Sequence, residues 1–120
     1  MNDQTIEQEI QAKNKTAPRV TPADIEANIA SEYYFTAAEG VYGNEVCHGI
    51  QPSMGNQSMM LLTFCVLVLR NGFTATGESA CASPENFDAE IGRKIARQNA
   101  VQKMWPLMGY ALKEKLSGGD

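Results

Sequence analysis

Large apolar residues are unevenly spread along this chain. Positions 1–19 are polar, with Ile6 and Ile10 as the only larger aliphatics, and read as a mobile or weakly helical arm outside the folded domain of 20–120. Thr21-Pro22-Ala23-Asp24 then combines a helix cap, a proline at the first helical position and an early acid, which predicts a short helix through Ile25, Ala27, Ile29 and Ala30. Glu32–Ala38 has the aromatic bias of a strand. Glu39–Ser58 is crowded with Gly, Asn, Gln, Ser and Pro and reads mostly as loop, with room for a short strand around Val41–His48.

The dominant apolar run, Met59–Leu69, meets Arg70-Asn71-Gly72 and resumes at Phe73–Glu78. Asn-Gly supplies the two positive φ angles of a two-residue type I′ turn, so the stretch predicts a β-hairpin. Arg70 then faces Phe73, Val68 faces Ala75, Val66 faces Gly77 and Phe64 faces Ser79. Leu62, Phe64, Val66, Val68, Phe73 and Ala75 become the face that buries, and Leu61, Thr63, Cys65, Leu67, Leu69, Thr74, Thr76 and Glu78 the face left open.

Downstream, Ser83-Pro84 predicts a helix start, with Asn86 as an alternative cap. Phe87, Ile91, Ile95, Val101 and Trp105 recur at helical spacing as the stripe expected to cover the sheet. Ala89, Ala96, Ala100 and Met104 gather opposite, beside Arg93 and Arg97, and read either as a solvated, helix-favouring face or as a subunit contact. Pro106 kinks the helix or makes it stop and restart, and Ser117-Gly118-Gly119 ends the last apolar turns. The fold class is α+β: a small antiparallel β-sheet, the hairpin plus one or more further strands, covered by a long C-terminal helix and shorter helices.

Composition narrows the function more than the fold. The 120 residues suit one domain, and the mainly apolar run Met59–Leu69, eleven residues long, falls well short of the roughly 20 that cross a bilayer as a helix, so no membrane partner is expected. The N-terminus lacks a secretory pattern, which points to the cytosol and to reduced thiols. Cys47, Cys65 and Cys81 are odd in number and widely spaced; they read as buried structural thiols, and a metal site with His48 is not expected. His48 itself has no orienting carboxylate or nucleophile in the sequence to make it an acid or base. A net charge of -4 disfavours long nucleic acid.

No P-loop, dinucleotide fingerprint, zinc protease motif or nucleophile elbow is present, and the chain is read as a protein without catalytic activity or cofactor. A pocket is easier to draw. The exit of the second hairpin strand and the start of the long helix gather Glu78, Ser79, Asn86, Arg93 and Arg97, with Phe73 as a stacking ring. The alternative is a core phenylalanine and solvated arginines.

Leu61–Phe73, with Gly77-Glu78-Ser79-Ala80-Cys81, Ser83-Pro84-Glu85-Asn86-Phe87-Asp88 and Glu90-Ile91-Gly92, resembles a family of small tailed-phage and prophage proteins that includes the first-described Thoeris anti-defence protein. The likeness spans roughly Val20–Leu116. It implies a noncatalytic sponge in the cytoplasm of the infected bacterial host, capturing the cyclic ADP-ribose isomer made by a TIR-domain defence enzyme or a cyclic oligonucleotide. It further implies a homo-oligomer, from dimer to hexamer, with pockets between subunits. By position it makes Phe73 the base-stacking candidate and Asn86 a polar contact, with Arg93, Arg97 and Asn99 as phosphate or ribose candidates; Glu78, gathered beside them at the strand exit, completes the ligand-binding set. The alternative is a phage structural or host-interaction protein with no small-molecule ligand.

Overall fold

A computed structural model describes residues 2–15, 17–52 and 56–118. Parts of the polar arm, of the Glu39–Ser58 stretch and of the Ser117-Gly118-Gly119 end lie outside the described residues. The element order is α1 (Asp3–Ala12), α2 (Pro22–Ala27), β1 (Ile29–Thr36), α3 (Ala37–Cys47), β2 (Leu62–Leu69), β3 (Thr74–Ala80) and α4 (Ala89–Leu116). Single 3-10 turns at Gln57–Leu61 and Pro84–Asn86 precede β2 and α4. The three strands form one antiparallel sheet in the order β1-β2-β3, covered on one side by α4, so the α+β class holds.

The hairpin forms, but one residue out of the expected register. Val68 pairs with Thr74, Leu67 with Ala75 and Cys65 with Gly77. The loop is three residues long: Leu69 N–H donates to Phe73 O (2.8 Å) and Gly72 N–H to Leu69 O (2.9 Å). Only Gly72 takes a positive φ, +90°, while the Asn71 side chain accepts from Phe73 N–H at 2.9 Å. Asn-Gly thus serves a turn that needs one left-handed residue rather than two. Because side chains alternate along a strand, the slip exchanges the faces of β2. Thr63, Cys65, Leu67 and Leu69 are buried under α4, and Leu62, Phe64, Val66 and Val68 are left half-buried on the open side.

Over its first turns α4 also turns the other face inward, whereas Val101 and Trp105 of the expected stripe do meet the core. Gly92, Ala96, Ala100, Val101 and Met104 are its buried residues, whereas Ile91 and Ile95 are 54% and 42% exposed. The reason is the separation of helix and sheet. A Cβ on Gly77 of β3 would overlap the backbone of Ala96 and Ala100, and one on Gly92 would come within 3.1 Å of Thr63 Oγ1. Small residues on both layers permit a close approach that isoleucines would prevent. Ala96, Ala100 and Met104 are therefore core within one chain, neither a solvated face nor a subunit contact; Ala89 remains exposed.

Helix ends follow side-chain caps. Thr21 and Asp24 form a reciprocal capping box on α2. Thr36 and Glu39 do the same for α3, so Ala37–Cys47 is helix where the glycines suggested loop or a short strand. Ser83-Pro84 opens only the 3-10 turn; α4 is capped by Asp88, whose carboxylate accepts from Glu90 and Ile91 N–H at 2.9 and 3.1 Å. Helix α4 runs unbroken through Pro106, neither stopping nor restarting. The lost donor orphans a carbonyl on an exposed turn, where water can serve it.

The arm is helical over α1 and is held in place. Glu7 accepts both guanidinium nitrogens of Arg19 (2.6 and 2.8 Å), and Asp3 Oδ2 accepts from Trp105 Nε1 (3.1 Å) and Gln102 Nε2 (3.2 Å). Ile6 and Ile10 line a groove with Val20, Pro22 and Trp105.

Candidate functional site: a cleft at the start of α4

Where β1 ends, the Thr36–Glu39 capping box turns the chain sharply into α3. Thr36 Oγ1 accepts from Glu39 N–H at 3.1 Å, and Glu39 Oε1 accepts from Thr36 N–H at 2.8 Å. That turn sets Ala38 and Tyr42, one helical turn apart, along one wall of a cleft of about 660 Å³. Met60, from the 3-10 turn before β2, also lines it. Phe87, Ala89 and Arg93 form the α4 side, Ala89 and Arg93 again one turn apart. A smaller recess of about 160 Å³ continues inward to Tyr34, Phe35 and Thr63.

The walls are mainly apolar and aromatic, with one acid, Glu39, and one base, Arg93. Among the described residues Arg93 makes no hydrogen bond or ion pair, and its side chain is exposed. Rings on both walls and an uncommitted guanidinium suit a planar, anionic ligand. Among the described residues no three His, Cys, Asp or Glu side chains converge as a metal site would require, and no helix is long and apolar enough to cross a membrane. All three cysteines are free; Cys65 is buried as expected of a strand thiol, and Cys47 is exposed, contrary to that expectation.

The model of the family described as phage protein (N4 Gp49/phage Sf6 gene 66) matches residues 20–116. The chain belongs to this phage protein family. The match takes in the sheet, α4 and every residue of the cleft, and leaves α1 outside it. No curated protein and no solved structure matches this phage protein.

Of the sequence-predicted site residues, Arg93 is the one that lines the cleft, and Asn86 sits exposed in the 3-10 turn directly before Phe87. Phe73 is 57% exposed at the hairpin tip, at the other end of β3 and roughly 20 Å away by strand length. Glu78 lies on the open side of the sheet, and its backbone carbonyl accepts from Asn99 Nδ2 at 2.9 Å, so Asn99 ties α4 to the edge of β3.

Arg97 is already engaged. Its guanidinium donates to both oxygens of Glu26 (2.7 and 3.1 Å) and to Glu32 (3.2 and 3.4 Å). Tyr34 Oη in turn donates to Glu32 at 2.6 Å. The Tyr34 hydroxyl and then Arg97 hold the Glu32 carboxyl below the usual carboxylate range, and Glu26 foremost raises the pKa of Arg97. Burial, followed by Glu32, pushes the Tyr34 phenol up, and burial raises the Cys65 thiol. The network joins α2, β1 and α4, and a phosphate at Arg97 would have to displace two carboxylates.

Glu39, Tyr42, Met60 and Phe87 were not among the sequence candidates. Thr36-x-x-Glu39 was a legible signal, because it forecasts a helix start and with it the placement of Ala38 and Tyr42 on one face.

Proposed function

We propose that this phage protein is a noncatalytic sponge that captures a cyclic nucleotide immune signal, either a TIR-derived cyclic ADP-ribose isomer or a cyclic oligonucleotide. The observation that carries the proposal is the Arg93 guanidinium, without a partner among the described residues, beside a cleft whose walls include Tyr42 and Phe87. Membership of a phage family and the resemblance through Asn71-Gly72-Phe73, Glu78-Ser79-Ala80-Cys81 and Glu90-Ile91-Gly92 support the same reading. A base stacked on an aromatic ring gains about 1–3 kcal/mol, and a charge-assisted hydrogen bond to a phosphate about 1.5–3 kcal/mol.

A cyclic dinucleotide carries more charge than one guanidinium neutralises, so tight capture needs a further cation or donor. Phe73, at the far end of β3, reaches a ligand in this cleft only from another subunit. Both requirements suit a pocket completed by a second chain.

The test is to incubate the purified protein with the cyclic ADP-ribose isomer and, separately, with cyclic di- and trinucleotides, remove unbound ligand, and release the remainder by heat. Recovery of an intact ligand supports sequestration and identifies the signal. A ligand returned in altered form assigns an enzyme instead. Absence of depletion from a demonstrably folded protein favours the second reading, a phage structural or host-interaction protein. That reading has its own observation, the apolar side of the sheet that α4 leaves bare.

A further inference from the structure

Among the described residues, the buried polar side chain is that of Thr63, near the start of β2. It is 3% exposed, yet its hydroxyl makes no hydrogen bond to any of them. A hydroxyl withdrawn from water without a partner works against folding, so such a group calls for an occupant beside it. The oxygen is not sealed in, because no fully enclosed side-chain N or O among the described residues lacks a partner. It opens into the recess of about 160 Å³ that leads inward from the cleft. Gly92, in the first turn of α4, keeps this opening clear: a Cβ there would stand 3.1 Å from Thr63 Oγ1.

The other polar groups of the recess sort by charge. Glu39 and Arg93 line both it and the outer cleft. Glu39 commits Oε1 to the Thr36 N–H at 2.8 Å, and no donor reaches its other oxygen among the described residues. Tyr34 has given its hydroxyl to Glu32, so it offers the recess only a ring. What remains is an acceptor on Glu39, a hydroxyl on Thr63 that donates or accepts, and the Arg93 guanidinium.

That set is selective. A phosphate is drawn to Arg93 and repelled by Glu39, so the group beside Thr63 and Glu39 is neutral and carries donors. A cavity of about 150 Å³ holds a single six-membered ring, so the recess takes one ring and leaves the remainder of a ligand in the cleft. A base finds an aromatic face there on Tyr42, which lines the cleft and not the recess.

We infer that the recess is a ribose subsite, in which Thr63 and the uncommitted oxygen of Glu39 bind the vicinal hydroxyls of a nucleotide whose phosphate pairs with Arg93. The inference rests on the reading of the cleft as a nucleotide site and adds a preference to it. A cyclic ADP-ribose isomer keeps at least one sugar with both hydroxyls free, whereas a 3′,5′-linked cyclic oligonucleotide keeps a single free hydroxyl on each sugar. The subsite therefore favours the ADP-ribose type.

The test uses the full-length protein with adenosine 5′-phosphate, which is no cyclic signal, and with its 2′,3′-dideoxy counterpart. Amide resonances of Thr63 and Gly92 are followed up to about 10 mM nucleotide, the weak end of the range for a fragment with few contacts. Both should shift saturably, and the dideoxy compound should bind about three- to tenfold more weakly, the loss of a neutral hydrogen bond or two. Thr63→Val keeps the branched shape that suits a strand; it should unfold at the same or a higher denaturant concentration and lose most of that preference. Gly92→Ala, which suits a helix, should weaken adenosine 5′-phosphate by a similar factor.

Equal affinity for the two nucleotides, an unchanged preference in Thr63→Val, or no binding of adenosine 5′-phosphate overturns the ribose subsite. So does a Thr63→Val protein that unfolds markedly earlier, because the hydroxyl then has a partner within the fold. Failure to retain any cyclic ligand, with the hydroxyl preference intact, would strike the sponge reading alone and leave the subsite supported.

Discussion

Gly77 is the residue on which the helix–sheet contact turns. Any Cβ there meets the Ala96 and Ala100 backbone rather than a flexible side-chain end, so α4 itself must move to admit one. Gly77→Ala should therefore destabilise the fold by about 1–3 kcal/mol or more, despite its better intrinsic strand geometry. Denaturant unfolding followed by circular dichroism measures this, and unchanged stability would mean that the helix stands farther off. Arg97→Ala removes a partly exposed tie between α4, α2 and β1 and should cost about 1 kcal/mol. Ligand affinity should change less than in Arg93→Ala. An equal loss in both would place Arg97 at the ligand despite Glu26 and Glu32.

At the scale of elements, α1 is the part whose attachment depends on pH. Hydrogen bonds from Arg19 and then from Gln11 lower the Glu7 pKa from 4.5 to about 2. A carboxyl depressed in the folded state contributes fully above its unfolded value, and the contribution fades as pH falls from about 4.5 through about 2. Trp105 reports the docking directly, because its indole N–H is bonded to Asp3. Its fluorescence should be steady above pH 5 and should shift through that acidic window. Glu7→Gln should remove the Glu7-linked part of the shift, and an identical titration would assign the change to another group.

The same scale shows how far the sequence could be read. The hairpin, the β1 strand, the capped α2 helix and the long terminal helix were all legible, because apolar runs, turn residues and Thr21-Pro22 are local signals. Which side of each element was inward was not. Asn71-Gly72 fits turns of two or three residues, and one residue of slip is enough to exchange the faces of a strand. A search for the largest side chains then selected Ile91 and Ile95 as the inner stripe of α4. The decisive pair, Gly77 against Ala96 and Ala100, lies about 20 positions apart in the chain and matters through the absence of side chains. At the candidate site, Arg93 was legible as a helix cation, whereas the cleft beside it required α3, whose glycines hid the Thr36–Glu39 capping box.

At the scale of the molecule, the chain extends over 57 × 34 × 16 Å. One helical layer on a thin sheet leaves both an apolar side and a lateral cleft open, and Phe35 borders both, belonging to the bare side and lining the inner recess. The direct measurement is a calorimetric titration of the cyclic ADP-ribose isomer and of cyclic di- and trinucleotides into wild-type protein and Arg93→Ala. Sequestration predicts saturable binding of one of these ligands to the wild type, recovery of that ligand intact, and an affinity at least about tenfold lower in a folded Arg93→Ala, the loss expected of a charge-assisted phosphate contact. Equal affinity in the two proteins would remove the cleft from the site, and no heat with any of the ligands would contradict sequestration itself.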